Sequence, residues 1–336
     1  MSSLKIAFII DPLPKLKIEK DSSVAMMAAA AARGHRIFAC EQGQISLTGG
    51  KVVGDFAELT LTGETPRWYR AGPVVETPLA DFGAVLLRKD PPFDVEYLYS
   101  THLLEHAGRQ GARVLNDPCA VRDHNEKYSI TEFPMLTTDV LVTREPARLR
   151  AFVADHAEAV LKLLDGMGGT SIFRVRSDDP NLSVILETMN QFGGRTVMAQ
   201  KYLPAIAQGD KRILLIGGEV VPYSLARIPK SGESRGNLAA GGTGRAQPLS
   251  ARDREIAETL APVLSARGLF LVGLDVIGDN LTEINVTSPT CFREIADQTG
   301  FDVAGLFIAR LEDLVSSAPS LAPVRQAPVH ARHPAA

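Results

Sequence analysis

The stretch "LFLVGLDVIGDNLTEINVTSPTCFREI", residues 269–295, decides the fold. It reads as two apolar runs around a Gly-Asp-Asn turn, the pattern of an antiparallel hairpin. Into that apolar pattern the chain sets Asp275, Glu283 and Asn285. Residues two apart in a strand share a face, so Glu283 and Asn285 point the same way. Asp275 joins them only under a condition. A two-residue turn, Asp279–Asn280, turns Asp275 away from Glu283, whereas a three-residue turn, Gly278–Asp279–Asn280, sets the two directly opposite each other. A turn with an odd number of residues is therefore expected. Two carboxylates and an amide oxygen, with no His or Cys beside them, are hard donors suited to Mg²⁺ or Mn²⁺. Like charges resist burial together unless a cation joins them, and magnesium held by carboxylates usually bridges to phosphates. The three residues thus predict a nucleoside triphosphate.

Upstream of this hairpin the chain supplies groups that phosphates need. Lys162 interrupts the apolar strand "AVLKLL" (159–164), which runs into the glycine loop "DGMGGTS" (165–171), and Lys127 follows an "NDP" boundary at 116–118. A glycine loop between two strands can wrap phosphate oxygens with its backbone N–H groups. "RILLI" and "VVPYSLARI" flank Gly217–Gly218 and predict a second hairpin with a two-residue turn. That turn pairs Arg212 with Tyr223 and leaves Arg227 just past the strand, with both arginines bordering one groove. Residues 229–248, "PKSGESRGNLAAGGTGRAQP", show no periodicity and predict a lid or binding loop.

The first third has a different rhythm. "KIAFII", a helix capped at "DSS" and stopped at Gly34, "RIFAC", "AVLLRK", the helical "YLYSTHLLEHAGRQG" and "ARVLN" alternate as βαβ units, which predicts a largely parallel sheet. Three motifs fail on context. "HLLEH" (102–106) has zinc-ligand spacing but lacks a clear third ligand. "GESRG" (232–236) sits in a glycine-rich loop rather than on a strand-to-helix turn, and only His330 and His333 follow it. "GMGGTS" precedes a strand-like "IFRVR", whereas a dinucleotide fingerprint must open a helix.

Composition narrows the function classes. The chain has 336 residues, 45% of them hydrophobic, a net charge of -3 and a pI near 6.2. That supports several cores and offers no global attraction to nucleic acid or to an anionic membrane. Cys40, Cys119 and Cys291 are scattered without CxxC spacing, which fits a reducing cytoplasm, and no apolar run reaches membrane-spanning length. A Pro/Ala tail from about 318 is expected to be disordered.

At this point the segments carry a resemblance. "IDPLPKLKIEKDSS", "LLRKDPPFD", "NEK", "LKLLDGMGG", "AQKYLPAIAQGDKRI", "VPYSLARIPKSGESRGNLAAGGTG", "LVGLD" and "LTEINVTSPTCFREI" resemble the ATP-grasp ligases, and within them the bacterial glutathione synthetases, over nearly the whole chain to about residue 316. Leu163 departs from the proline of the family pattern. The resemblance implies an α/β and α+β architecture: an N-terminal parallel-sheet domain (1–124), ATP-grasp lobe A (125–200), lobe B (201–317) and a disordered tail (318–336).

The same resemblance implies site roles. Lys127 and Lys162 contact phosphates under the loop carrying Gly166, Gly168 and Gly169. Gln200, Lys201, Tyr202 and Leu203 form the adenine hinge, with Asp210 near the ribose. Asp275, Glu283 and Asn285 hold two Mg²⁺ or Mn²⁺ ions. Arg212, Arg227 and Arg235 face the transferred phosphoryl group, and Arg88, Ser288 and Arg293 take the dipeptide's carboxylates. The implied reaction joins γ-glutamylcysteine to glycine at the expense of ATP through an acyl phosphate, in a cytoplasmic homotetramer. A ligase with another acceptor and a non-catalytic ATP-binding regulator remain alternatives on residue chemistry alone.

Overall fold

The computed structural model describes residues 3–64, 66–230, 236 and 241–317. The expectations for Arg235 and for the 318–336 tail lie outside the described residues. Three sheets follow one another along the chain.

The first sheet is built from β1 (Lys5–Ile10), β2 (Arg36–Glu41), β3 (Ile45–Thr48), β4 (Lys51–Leu61), β5 (Tyr69–Pro78), β6 (Ala84–Leu87) and β7 (Val114–Leu115). Strands β2, β1, β6 and β7 are parallel neighbours, as the βαβ rhythm predicts, and β3, β4 and β5 extend the sheet as an antiparallel arm. The run β1 reads apolar throughout because both of its faces are covered, and five of its six residues are buried. Helix α1 (Ser22–Ala32) starts where Asp21 accepts from the amides of Ser23 and Val24, and the chain leaves it through Gly34 at φ 83°. Helix α2 (Val95–Arg109) and the short α3 (Pro118–Asp123) complete this part.

The second sheet, in the order β10-β9-β11-β8, comprises β8 (Val140–Thr143), β9 (Glu158–Leu163), β10 (Phe173–Arg176) and β11 (Val197–Lys201). Helices α4 (Pro146–His156) and α5 (Leu182–Asn190) bury Leu149, Val153 and Leu186 against its Leu161 and Ala199. Each such side chain contributes about 1.5–3 kcal/mol when fully buried.

The third sheet has the order β14-β13-β12-β15-β16: β12 (Asp210–Ile216), β13 (Glu219–Ile228), β14 (Thr243–Pro248), β15 (Leu271–Ile277) and β16 (Asn280–Asn285). Helix α6 (Ala251–Ala266), capped by Ser250 and Asp253, packs Ile256, Leu260 and Leu264 on its apolar side. Helices α7 (Phe292–Thr299) and α8 (Val303–Ser317) then return to the first sheet's helix layer, where Glu312 pairs with Arg33 and His35. Among the described residues no helix is long and apolar enough to cross a membrane.

Three sequence expectations are corrected here. Residues 243–248 are not loop: they form β14 and pair with β13, and of the rest of the expected lid, 231–235 and 237–240 lie outside the described residues. Arg212 pairs with Leu225, not Tyr223, and Arg227 lies inside β13 opposite Asp210. The Gly217–Gly218 turn has two residues as expected, but Leu214 faces three residues, 221–223, and the register slides by two. Pro222 sits in that interruption, where it has no N–H to give the ladder. The third correction concerns the opening hairpin. Its turn has two residues, Gly278–Asp279, because Ile277 pairs with Asn280. The odd residue is Thr282, which forms a bulge between the pairs Val276–Leu281 and Asp275–Glu283. The bulge performs the face change assigned to an odd turn.

Candidate active site

The ends of β9 and β11, the glycine loop and one face of the third sheet enclose a cavity of about 270 Å³. Its wall includes Lys127, Lys162, Gly166, Gly168, Gly169, Gln200, Lys201, Tyr202, Leu203, Asp210, Arg212, Arg227, Asp275, Glu283, Asn285 and Ser288. Segments separated by as much as about 200 positions, from Asp90 to Cys291, are thus brought together. Arg88 and Arg293 are absent from this wall. Arg88 is buried and donates to the Pro289 carbonyl at 2.8 Å, and the Arg293 Nε is buried without a partner among the described residues.

At the sheet face the charges run in a row. Cross-strand pairing aligns Arg212 with Asp275 and Asp275 with Glu283, and Asp210 with Arg227. Arg212 Nη2 donates to Asp275 Oδ2 at 3.0 Å while Arg227 Nη2 lies 2.7 Å from the same oxygen. Arg227 also donates to Asp210. Gly273 makes this possible, since a Cβ there would sit 2.8 Å from Cδ of Arg212. Burial favours the neutral form of Asp275, but Arg212 and Arg227 overcome it and hold the carboxyl below its usual range. Asp210 is pushed up to about 6 by burial, against the attraction of Arg227.

The lysines come from the part of the chain before the third sheet. Lys127 Nζ reaches Glu283 Oε1 at 3.2 Å and donates to the Gly166 carbonyl. Burial alone would lower it, yet Glu283 and Glu126 keep it above the ordinary lysine value. Lys162, on β9, is buried and donates to Gln200 Oε1 at 2.7 Å, and desolvation pushes it down although Glu283 opposes that. Gly168 and Gly169 both have positive φ, 60° and 79°, so the loop bends sharply where it lines the cavity.

Among the described residues, two buried polar atoms on the wall lack partners, Gln200 Nε2 and Asp210 Oδ1. Such groups are normally satisfied, so they mark where a ligand's acceptor and donor belong. Val160, Met167, Ile172, Leu203 and Ile206 line the same end with apolar surface, and the Arg174 guanidinium stacks 3.8 Å from the centre of the Tyr202 ring.

The donor set suits a hard cation. Asn285 donates its Nδ2 to the Gly273 carbonyl at 3.1 Å, which leaves its amide oxygen without a partner among the described residues. One oxygen of Glu283 meets Lys127, and both oxygens of Asp275 are held by arginines. Glu283 and Asn285 therefore offer the open oxygens of the type a hard cation takes, while Asp275 is engaged by the guanidinium groups.

Sequence reading missed Glu126, whose carboxylate Oε1 accepts from Val286 N at 2.9 Å, Thr287 N at 3.0 Å and Thr287 Oγ1 at 2.8 Å. It ties the segment that carries Lys127 to the segment that follows Asn285, and burial pushes its carboxyl up. The only signal was its place beside Lys127 in "NEK". His102, Glu105 and His106 form no metal site: Glu105 pairs with Arg109 and Arg122, and no group of three or more His, Cys, Asp or Glu side chains able to hold a metal occurs among the described residues.

Comparison with known proteins agrees with this geometry. Residues 4–122 match the family model described as prokaryotic glutathione synthetase, N-terminal domain, and residues 126–300 match its ATP-grasp domain. The chain is 60% identical over 309 residues to a glutathione synthetase of Ralstonia nicotianae, covering 92% of this chain and 95% of the relative. It is 58% identical over 316 residues to that of Nitrosomonas europaea, covering 93% and 99%. In fold it is similar to the solved D-cycloserine synthetase DcsG, with a TM-score of 0.65 at 14% identity over 92% of this chain and 99% of that one. The chain belongs to the prokaryotic glutathione synthetase family and is an ATP-dependent ligase of the ATP-grasp fold.

Proposed function

We propose that the enzyme joins γ-L-glutamyl-L-cysteine to glycine, converting ATP to ADP and phosphate and releasing glutathione. The observation that carries this reading is the single cavity that puts buried lysines and a glycine loop beside the Arg212–Asp275–Glu283 row, in a chain of this family. Gln200 to Leu203 would hold adenine, with the unpartnered Gln200 Nε2 and Asp210 Oδ1 as its polar contacts to base and ribose. Lys127, Lys162 and the loop amides would hold the phosphates. Asp275, Glu283 and Asn285 would hold Mg²⁺ or Mn²⁺, in two ions, which neutralise triphosphate charge when bound.

The donor's cysteinyl carboxylate attacks the γ-phosphorus. An O–P bond forms, the bond to the ADP oxygen breaks, and an acyl phosphate results. Arg212 and Arg227 would sit over the migrating phosphoryl group and stabilise charge developing on its oxygens. Glycine's free amine then adds to the acyl carbon, the C–O bond to phosphate breaks, and the amine loses its proton. The chain's role is positioning and charge neutralisation, with no covalent nucleophile. The scattered free cysteines suit a reducing cytoplasm, and a homotetramer is the expected assembly.

The test is ADP release with γ-glutamylcysteine and Mg²⁺, with and without glycine, beside a panel of other amines. Expected is glycine-dependent turnover with one glutathione per ADP. Equal ADP release without glycine, or preference for another acceptor, overturns the assignment.

A further inference from the structure

Strand β16, which carries Glu283 and Asn285, is the outer strand of the third sheet and pairs with β15 on its inner side only. The backbone groups of its outer edge need partners from elsewhere in the chain. Two short segments supply them. Leu281 N donates to the Leu136 carbonyl at 2.7 Å, and Thr137 Oγ1 donates to the Leu281 carbonyl at 2.7 Å. Further along, Ile284 N donates to the Glu126 carbonyl at 2.8 Å, while Val286 N and Thr287 N both donate to Glu126 Oε1. Glu126 therefore holds the residue before Asn285 with its main chain and the two residues after it with its side chain.

The neighbours of Glu126 reach the opposite side of the cavity. Asn125 Nδ2 donates to the Leu164 carbonyl at 2.9 Å, and Lys127 Nζ donates to the Gly166 carbonyl. Three consecutive residues thus fasten the start of the glycine loop to the end of β16. Within this strap Glu126 Oε1 takes three donors, Thr287 Oγ1 being the third, whereas Oε2 accepts from no group among the described residues. The contact needs one oxygen at one reach, which is a demand on length and not on charge. Without that oxygen two amides at the end of an edge strand lose their acceptor, and the strand end shifts to recover bonds.

We propose that Glu126 is a positioning residue for the ligation: by fixing the backbone on both sides of Asn285, it sets where Asn285 presents its amide oxygen to the bound cation. It acts through Asn285 and does not itself hold the ion. It rests on the cation-holding role proposed above for Asn285.

The experiment compares Glu126→Gln, Glu126→Asp and Glu126→Ala with wild type. Gln keeps an oxygen at the same reach without the charge, Asp keeps the charge about 1.5 Å short, and Ala removes both. Two quantities are read: amide hydrogen exchange at Val286 and Thr287 in the ligand-free protein, and the Mg²⁺ concentration that gives half-maximal ADP release at saturating substrates. In the Asp and Ala variants exchange at both amides is expected to quicken about tenfold or more. Their half-maximal Mg²⁺ is expected to rise about 10- to 100-fold, the scale for groups that orient a metal ligand. Gln is expected to stay within about threefold of wild type in both. An Asp variant closer to wild type than Gln assigns the effect to charge and overturns the proposal. Faster exchange with an unchanged Mg²⁺ requirement overturns it too, since the contact would then serve only the fold. Gln against Asp decides between reach and charge even where Ala does not fold. A wild type whose turnover ignores Mg²⁺ overturns the cation role of Asn285, a separate result, because exchange in the ligand-free protein does not depend on the ion.

Discussion

The two hairpins of the third sheet, β12–β13 and β15–β16, differ in one integer. Each has a two-residue turn containing glycine, and each carries a bulge a few residues from it. The first bulge inserts two extra residues and the second inserts one. Side chains alternate with period two, so an even insertion slides a strand without changing which face its residues occupy, whereas an odd insertion turns them over. In β13 the slide brings Arg227 opposite Asp210. In β16 the turnover brings Glu283 opposite Asp275, and Asn285 with it onto the same face. In a regular ladder without the bulge Thr282 would lie opposite Asp275, and Glu283 would lie opposite Leu274, facing away from the arginines.

Deleting Ile284, just past the bulge, should break this comparison most severely. The shortened β16 would carry Asn285 to the position opposite Leu274 on the far face while Glu283 stays opposite Asp275, and ligation should fall about 1000-fold or more, the scale on which preorganised electrostatic groups act. Near-normal ADP release by the deletion protein would show that the register of β16 does not set the site. Glu283→Gln keeps the register and removes one charge, so it sharpens the same point. A loss of about 100-fold or more in turnover is expected, with secondary structure by circular dichroism unchanged. Full activity would remove Glu283 from the proposed metal site.

The first hairpin gives a smaller effect, visible in stability. Asp210 has its carboxyl pushed up to about 6 from an ordinary value of 3.8, burial being the main cause and Arg227 the main opposition. A carboxyl raised on folding is bound to a proton more often in the folded state. Its ionisation therefore opposes folding, fully above pH 6 and not at all below the unfolded value. In the ligand-free enzyme, lowering the pH from 7 to 5 should raise the contribution of this residue to stability, and Asp210→Asn should flatten that part of the pH profile. Melting temperatures across this range decide it: an identical slope in both proteins would exclude Asp210 as the group responsible.

Much of this site was legible beforehand because each signal is local. Lys162 in an apolar run, the glycines at 166, 168 and 169, and the polar residues spaced two apart at 283 and 285 depend on nothing distant. The same holds for Gly217–Gly218 as a turn. Glu126 was invisible because its meaning comes from the amides of Val286 and Thr287, 160 residues away. Strand β14 was read as loop since "TGRAQP" has little strand preference, and only pairing with β13 holds it extended. The antiparallel arm β3–β5 was not resolved either, because β5 is almost wholly exposed and lacks the alternation that marks a half-buried strand.

By itself the sequence determined the types of element, the polar residues set into apolar strands and the family to which they belong, since periodicity, capping and ordered motifs are properties of neighbouring residues. Tertiary structure alone decided register. Whether Asp275 meets Glu283 depends on one bulged residue, and whether Arg227 meets Asp210 depends on two, and ladder pairing is settled only when both strands are packed under the same helices. The site's chemistry is written in the residue types, and its geometry in the count of unpaired residues between them.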